Sequence, residues 1–185
     1  GLGDSQATWA PMIETLRADA GFRANYQIWF FSYPTGYPYP VMAAELREQL
    51  EAMDDHYPDH KPLVVVGHSM GGMIARTLIT DSGLRIWKAF FETPPAWTPF
   101  SPEAREIVTK ALIFKHQPEI ARVIFASASL GGSDMATSFM GRLGAVLIGN
   151  PDDELSVVGK ELAVLSKPRA DGQQLKKAPN SLDAL

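Results

Sequence analysis

Apolar positions recur at two different spacings along this chain, and the alternation between them sets its architecture. Trp9, Met12, Ile13, Leu16 and Ala20 share one face at helical spacing, so a helix is predicted over 7–20, capped by Asp4 or Ser5. Gln27 to Ser32 is aromatic and short, and ends at Tyr33-Pro34-Thr35-Gly36, which predicts a strand closed by a turn. After Pro40, Met42, Leu46, Leu50 and Met53 form the apolar stripe of a second helix, with Glu45, Arg47, Glu48 and Glu51 on its wet face. Leu63 to Val66 is apolar at every position, the pattern of a strand covered on both faces. A helix is predicted from Met70 to Asp81, ending near Gly83, then a second fully apolar strand at Val123 to Ala126. Leu155, Val158, Leu162 and Leu165 mark a late helix, and the polar tail from Lys167 offers no strand. Strand and helix therefore alternate, which predicts an α/β fold with a mostly parallel sheet covered by helices.

One stretch interrupts this rhythm. Between residues 86 and 117 the chain gathers Trp87, Phe90, Phe91, Trp97, Phe100 and Phe114 among Pro94, Pro95, Pro99 and Pro102. It is too long for a plain connection and is read as a lid or cap insertion, with a helix starting at Ser101-Pro102. Trp87, Phe90, Phe91 and Trp97 are candidate substrate-binding residues, as an apolar wall for an acyl group. The competing expectation is that these rings fill a core beneath the cap.

Composition narrows the partners. A chain of 185 residues with 45% hydrophobic residues can bury one real core, so a single domain over 1–185 is expected. The net charge of −4 gives no basic surface for nucleic acid. Cysteine is absent, which excludes disulfides and thiolate metal sites. His56 and His60 share a loop with no third ligand beside them, so neither a metal nor a cofactor is implied. No apolar run is long enough to span a bilayer and no signal peptide is evident, so the default expectation is a cytoplasmic protein.

The candidate chemistry lies in Val64-Val65-Val66-Gly67-His68-Ser69-Met70-Gly71-Gly72. Gly67 to Gly71 fits G-x-S-x-G between a predicted strand and a predicted helix, the setting a nucleophile elbow needs. A serine on so tight a turn leaves the usual backbone regions, and flanking side chains two positions either side would collide, so glycine is expected at 67 and 71. Ser69 is then the candidate nucleophile, and the Met70 amide one donor of an oxyanion hole at the helix start. The plainer alternative is a glycine-rich turn that merely packs helix on strand. A phosphate-binding loop would need a Lys that is missing here.

With these residues the chain resembles the α/β-hydrolase superfamily, and more closely a lipase/esterase-like branch related to GPI inositol-deacylase-like proteins. Gly1-Leu2-Gly3-Asp4-Ser5 resembles the family's His-Gly-x-Gly-x-Ser segment, which implies that Leu2 gives the second oxyanion-hole amide. After the strand ending at Ala126, Ser129-Leu130-Gly131-Gly132-Ser133 departs from the Pro-His-x-Gly-Ser of many relatives, retaining only its end. The order Ser, acid, His in this fold puts the base after Ser69 on a late loop. His56 and His60 come too early, His68 adjoins the serine, and His116 precedes the next strand. Asp134 reads as a helix cap, and Asp152, Asp153 and Glu154 as an acidic helix start. The acid and His are therefore expected beyond Leu185, and the fold is expected to be incomplete at both ends, with this stretch alone nearly inactive.

Three functions follow from the resemblance. The first is a serine hydrolase acting on a carboxylic ester, with a hydrophobic ester or lipid-like small molecule as substrate. The second is an acyltransferase using the same acyl-serine, and the third a non-catalytic binding module.

Overall fold

The computed structural model describes residues 5–128 together with 130, 158, 160, 161, 164 and 165. A short 3₁₀ turn, Gln6–Trp9, leads into α1 (Ala10–Ala18) and α2 (Ala20–Asn25). The single helix predicted over 7–20 is thus broken. Asp19 adopts extended backbone and its carboxylate accepts the Phe22 N–H at 2.7 Å, so it ends one helix and caps the next. Ser5 caps the 3₁₀ turn through the Ala7 amide at 3.3 Å.

α3 (Tyr39–His56) precedes β1 (Leu63–His68), which runs into α4 (Met70–Thr77). α5 (Arg85–Phe90) and α6 (Pro102–Leu112) follow, and β2 (Ile120–Ala126) returns alongside β1. The two strands pair in parallel, from Leu63 opposite Ile120 to His68 opposite Ala126. A parallel pair needs such a crossover, here made by three helices. α4 packs on both strands, α3 on α4 and α6, and α5 on α6. The α/β class expected from the alternation is therefore the observed one.

α4 ends at Thr77, short of the Asp81 expected for that helix, and three further expectations differ from the structure. Gln27 to Ser32 joins no ladder: β1 pairs with β2, and no other ladder is formed among the described residues. Without a neighbour to accept its hydrogen bonds, an apolar period alone makes no strand. Trp29 and Phe30 in this stretch remain exposed. Second, β1 is not covered on both faces, since Val64 is exposed and only Gly67 is fully buried. Third, Arg47 leaves the wet face of α3 and is buried. Its guanidinium lies 4.3 Å from the centre of the Phe114 ring, and donates to Thr77 Oγ1 at 3.1 Å and to the Lys110 carbonyl at 2.6 Å. Burial lowers its pKa to about 10, so it stays charged at neutral pH and joins α3, α4 and α6.

One core runs through the helices. Met42 and Ala43 of α3, Met70, Met73 and Ile74 of α4, and Val108, Ala111 and Leu112 of α6 belong to it. Trp87, Phe91 and Phe100 belong to the same cluster. Trp87 sits 4.6 Å from Phe91 and 6.2 Å from Phe100, centre to centre, and its indole N–H donates to the Thr93 carbonyl at 2.8 Å. Ser101 caps α6 through the Ala104 amide at 3.2 Å with Pro102 in its first turn, as its sequence requires. Of the late helix, Val158, Lys160, Glu161, Val164 and Leu165 are helical, and Glu161 accepts the Ser101 N–H at 2.7 Å.

Candidate active site

β1 delivers the chain to Ser69, and the backbone there turns through φ 53° and ψ −122°. That conformation is one L-residues avoid, and holding it costs roughly 1–3 kcal/mol. Two hydrogen bonds hold the turn. The Ser69 N–H continues the ladder to the Ala126 carbonyl at 3.0 Å, and the Ser69 carbonyl accepts the Gly72 N–H at 2.9 Å. Hydrogen bonding to β2 thus continues one residue past the last pair of β1, and α4 begins at once. Its positive end, where the first amides have no partner within the helix, points back at the serine.

The glycines divide differently from the expected pair. A Cβ on Gly67 would stand 2.6 Å from the Gly71 oxygen and 2.7 Å from Gly72 Cα. A Cβ on Gly72 would stand 2.3 Å from the Ala128 Cβ. On Gly71 the nearest atom would be the Tyr33 hydroxyl at 3.5 Å, an ordinary contact. Close approach therefore demands glycine at 67 and 72, whereas 71 has room. The reason is tertiary: Gly72 faces the chain leaving β2 at Ala128, which the pentapeptide pattern does not include.

Ser69 is partly exposed and Met70 is buried as the first residue of α4. Leu2 lies outside the described residues, as do residues 131–133 of the segment after β2 and the acids Asp134, Asp152, Asp153 and Glu154. Among the expected acyl contacts, Trp87 is 1% and Phe91 2% exposed, and both belong to the buried core cluster. Phe90 is half-buried and Trp97 is 78% exposed.

The histidines sit away from the serine or are otherwise engaged. His68 meets the Trp9 ring edge-on, 6.2 Å between centres. His56 is the last residue of α3, not part of the loop expected to hold it, and packs edge-on against Tyr57, while His60 bonds to Asp54 at 3.0 Å. His116 precedes β2 while Ser69 follows β1, so a six-residue strand, about 20 Å, separates them. His116 instead pairs with Asp81: one carboxylate oxygen faces both its backbone N–H at 2.8 Å and its Nδ1 at 2.9 Å.

That pair has a pH signature. The His116 backbone amide first, then its ring, holds the Asp81 carboxyl below its ordinary range. A carboxyl lowered on folding stabilises above its unfolded range and loses that contribution as pH falls through the folded value. Asp81→Asn is therefore expected to melt below the parent at neutral pH, with the gap closing below about pH 4. Melts from pH 7 to pH 3 check this; a gap that widens in acid would contradict it.

Among the described residues no group of three His, Asp or Glu could hold a metal ion, and no helix is long and apolar enough to cross a membrane. A serine at positive φ between a strand of a parallel pair and a helix has the backbone geometry that a nucleophile elbow requires. The sequence matches the Alpha/beta hydrolase family over residues 1–179, and the chain belongs to that family. No curated protein and no solved structure matches it.

The sequence reading missed Tyr33 as a neighbour of the elbow. It lies 36 positions before Ser69 and reads only as the start of a turn. No local pattern signals that its hydroxyl reaches Gly71.

Proposed function

We propose that the protein is a serine hydrolase of carboxylic esters, of the lipase/esterase-like kind related to GPI inositol-deacylase-like proteins, working through an acyl-enzyme on Ser69. The strained Ser69 backbone carries this reading, because a turn that only packed helix on strand would be free to use glycine there. In the proposed reaction a general base takes the hydroxyl proton as Oγ attacks the acyl carbonyl. The carbonyl oxygen becomes an oxyanion held by the Met70 and Leu2 amides. Collapse expels the alcohol, which takes up the proton, and water then releases the acid from Ser69. A hydrophobic acyl or alcohol group suits the accessible aromatic surface of Phe90 and Trp97, the members of the 86–117 cap that retain any.

The test is covalent labelling. A fluorophosphonate added to the full-length protein is expected to modify Ser69, located by peptide mass spectrometry. Ser69→Gly is expected to abolish the adduct and, by relieving the positive φ, to gain roughly 1 kcal/mol of stability or more. Absence of an adduct on the parent, or a less stable Ser69→Gly, would overturn the proposal. Product analysis with an added alcohol acceptor then distinguishes hydrolysis from acyl transfer.

A further inference from the structure

A cleft of about 500 Å³ lies where α1, α2 and the start of the 27–32 stretch meet. The proposed reaction does not use it. Its volume is that of a small-molecule site.

Part of its lining is aromatic. Phe22 and Tyr26, one turn apart on α2, stack at 5.0 Å and 16° and form a flat platform. Trp29 adds a second ring. Its indole N–H donates to the Gln27 side-chain oxygen at 3.4 Å, and its edge meets Tyr57 at 6.2 Å and 83°. Tyr26 is 56% and Trp29 63% exposed, so ring surface remains for another ring to cover.

The rest of the lining is cationic. Arg17 and Arg23 both border the cleft and both are exposed. Arg23 donates from one terminal nitrogen to the Arg17 carbonyl, which anchors its guanidinium beside the last turn of α1. The Arg17 guanidinium makes no hydrogen bond or ion pair with the described residues. No Asp or Glu borders the cleft among the described residues. Asp19, between the two arginines in sequence, turns its carboxylate to the Phe22 N–H instead. Two guanidiniums on one cleft without a facing carboxylate stand out in a chain of net charge −4.

We propose that this cleft binds a small organic anion carrying a ring, an aryl carboxylate or aryl phosphate, with its charged head on Arg17 and Arg23 and its ring on the aromatic lining. A guanidinium presents paired N–H donors in a plane, which match the oxygens of either head group. Ring-on-ring contact adds affinity that a bare ion lacks. All the lining residues lie between 17 and 29, so the inference does not depend on the elbow.

The experiment is equilibrium dialysis of the full-length protein with naphthyl phosphate and with naphthoate at low salt. At least one is expected to bind, and the tighter of the two identifies the head group. Inorganic phosphate lacks the ring and naphthalenemethanol lacks the charge, and each is expected to bind at least about 10-fold more weakly. Arg17→Gln is expected to weaken binding of the naphthyl anion about 10-fold, and Trp29→Ala by a similar factor. Added salt is expected to weaken it further in the parent than in Arg17→Gln. Both side chains are exposed, so melting temperatures are expected to stay within about 2 °C of the parent. Failure of both naphthyl anions to bind at millimolar concentration overturns the proposal. Binding that Arg17→Gln leaves unchanged places the ligand elsewhere, as at the elbow, reduces the arginines to complements of a helix end, and also overturns it. Equal binding of naphthalenemethanol makes the cleft merely apolar and does the same.

Discussion

Gly67→Ala is expected to disable the elbow and destabilise the protein, while Gly71→Ala keeps the fold. An alanine Cβ at 67 would meet the Gly71 oxygen, Gly72 Cα and Gly71 carbonyl carbon at 2.6, 2.7 and 2.8 Å. All three are backbone atoms of the turn, so no side-chain rotation relieves the clash and the strand must separate from the helix. Overpacking of this kind costs about 1–3 kcal/mol, and the upper end is expected where only backbone can yield. A displacement of about 1 Å at the nucleophile lowers reactivity by roughly 10²-fold. Gly72→Ala is expected to behave similarly, since its Cβ would stand 2.3 Å from that of Ala128. Gly71→Ala places a Cβ at ordinary contact distance from Tyr33 and adds helix propensity, a gain of roughly 0.5–1 kcal/mol. Chemical denaturation and labelling rates of the three variants rank them. Gly71→Ala proving less stable than Gly72→Ala would refute the geometry.

Trp87→Ala is expected to cost about 3–5 kcal/mol, the range for removing a large aromatic from a core. For a chain of this size that lowers the melting temperature by about 10 °C. Trp87 is 1% exposed, Phe91 and Phe100 lean on it, and those two rings meet each other at 5.4 Å and 83°. Its loss removes the ring on which both Phe91 and Phe100 pack. Trp87→Phe keeps part of the ring packing and loses the bond to the Thr93 carbonyl, which costs about 1 kcal/mol on its own. The same measurement separates the two roles considered for this residue. A substrate wall would show slower labelling at an unchanged melting temperature, and a core filler shows the reverse.

The Arg47 contacts illustrate why side-chain placement outran the sequence. By helical period Arg47 belongs with Glu48 and Glu51 on the wet face. Its burial depends on Phe114 and Lys110, which are over 60 positions away and arrive with α6 and the chain after it. The break at Asp19 is the opposite case. Its cause is local, a carboxylate three residues before the amide it caps, yet the continuous apolar stripe concealed it.

Local signals determined the α/β alternation, the cap at Ser101, and the position of Ser69 between strand and helix, because period, capping and glycine placement act within a few residues. Tertiary structure decided the rest. It set which glycines are obligatory, since Ala128 comes from another strand end, and it turned Trp87 and Phe91 into core. It left 27–32 without a ladder and put His116 at the wrong end of the sheet. It also brought a phenol to the elbow from 36 residues upstream. Each of these depends on contacts between distant segments, which the spacing of residues along one segment does not encode.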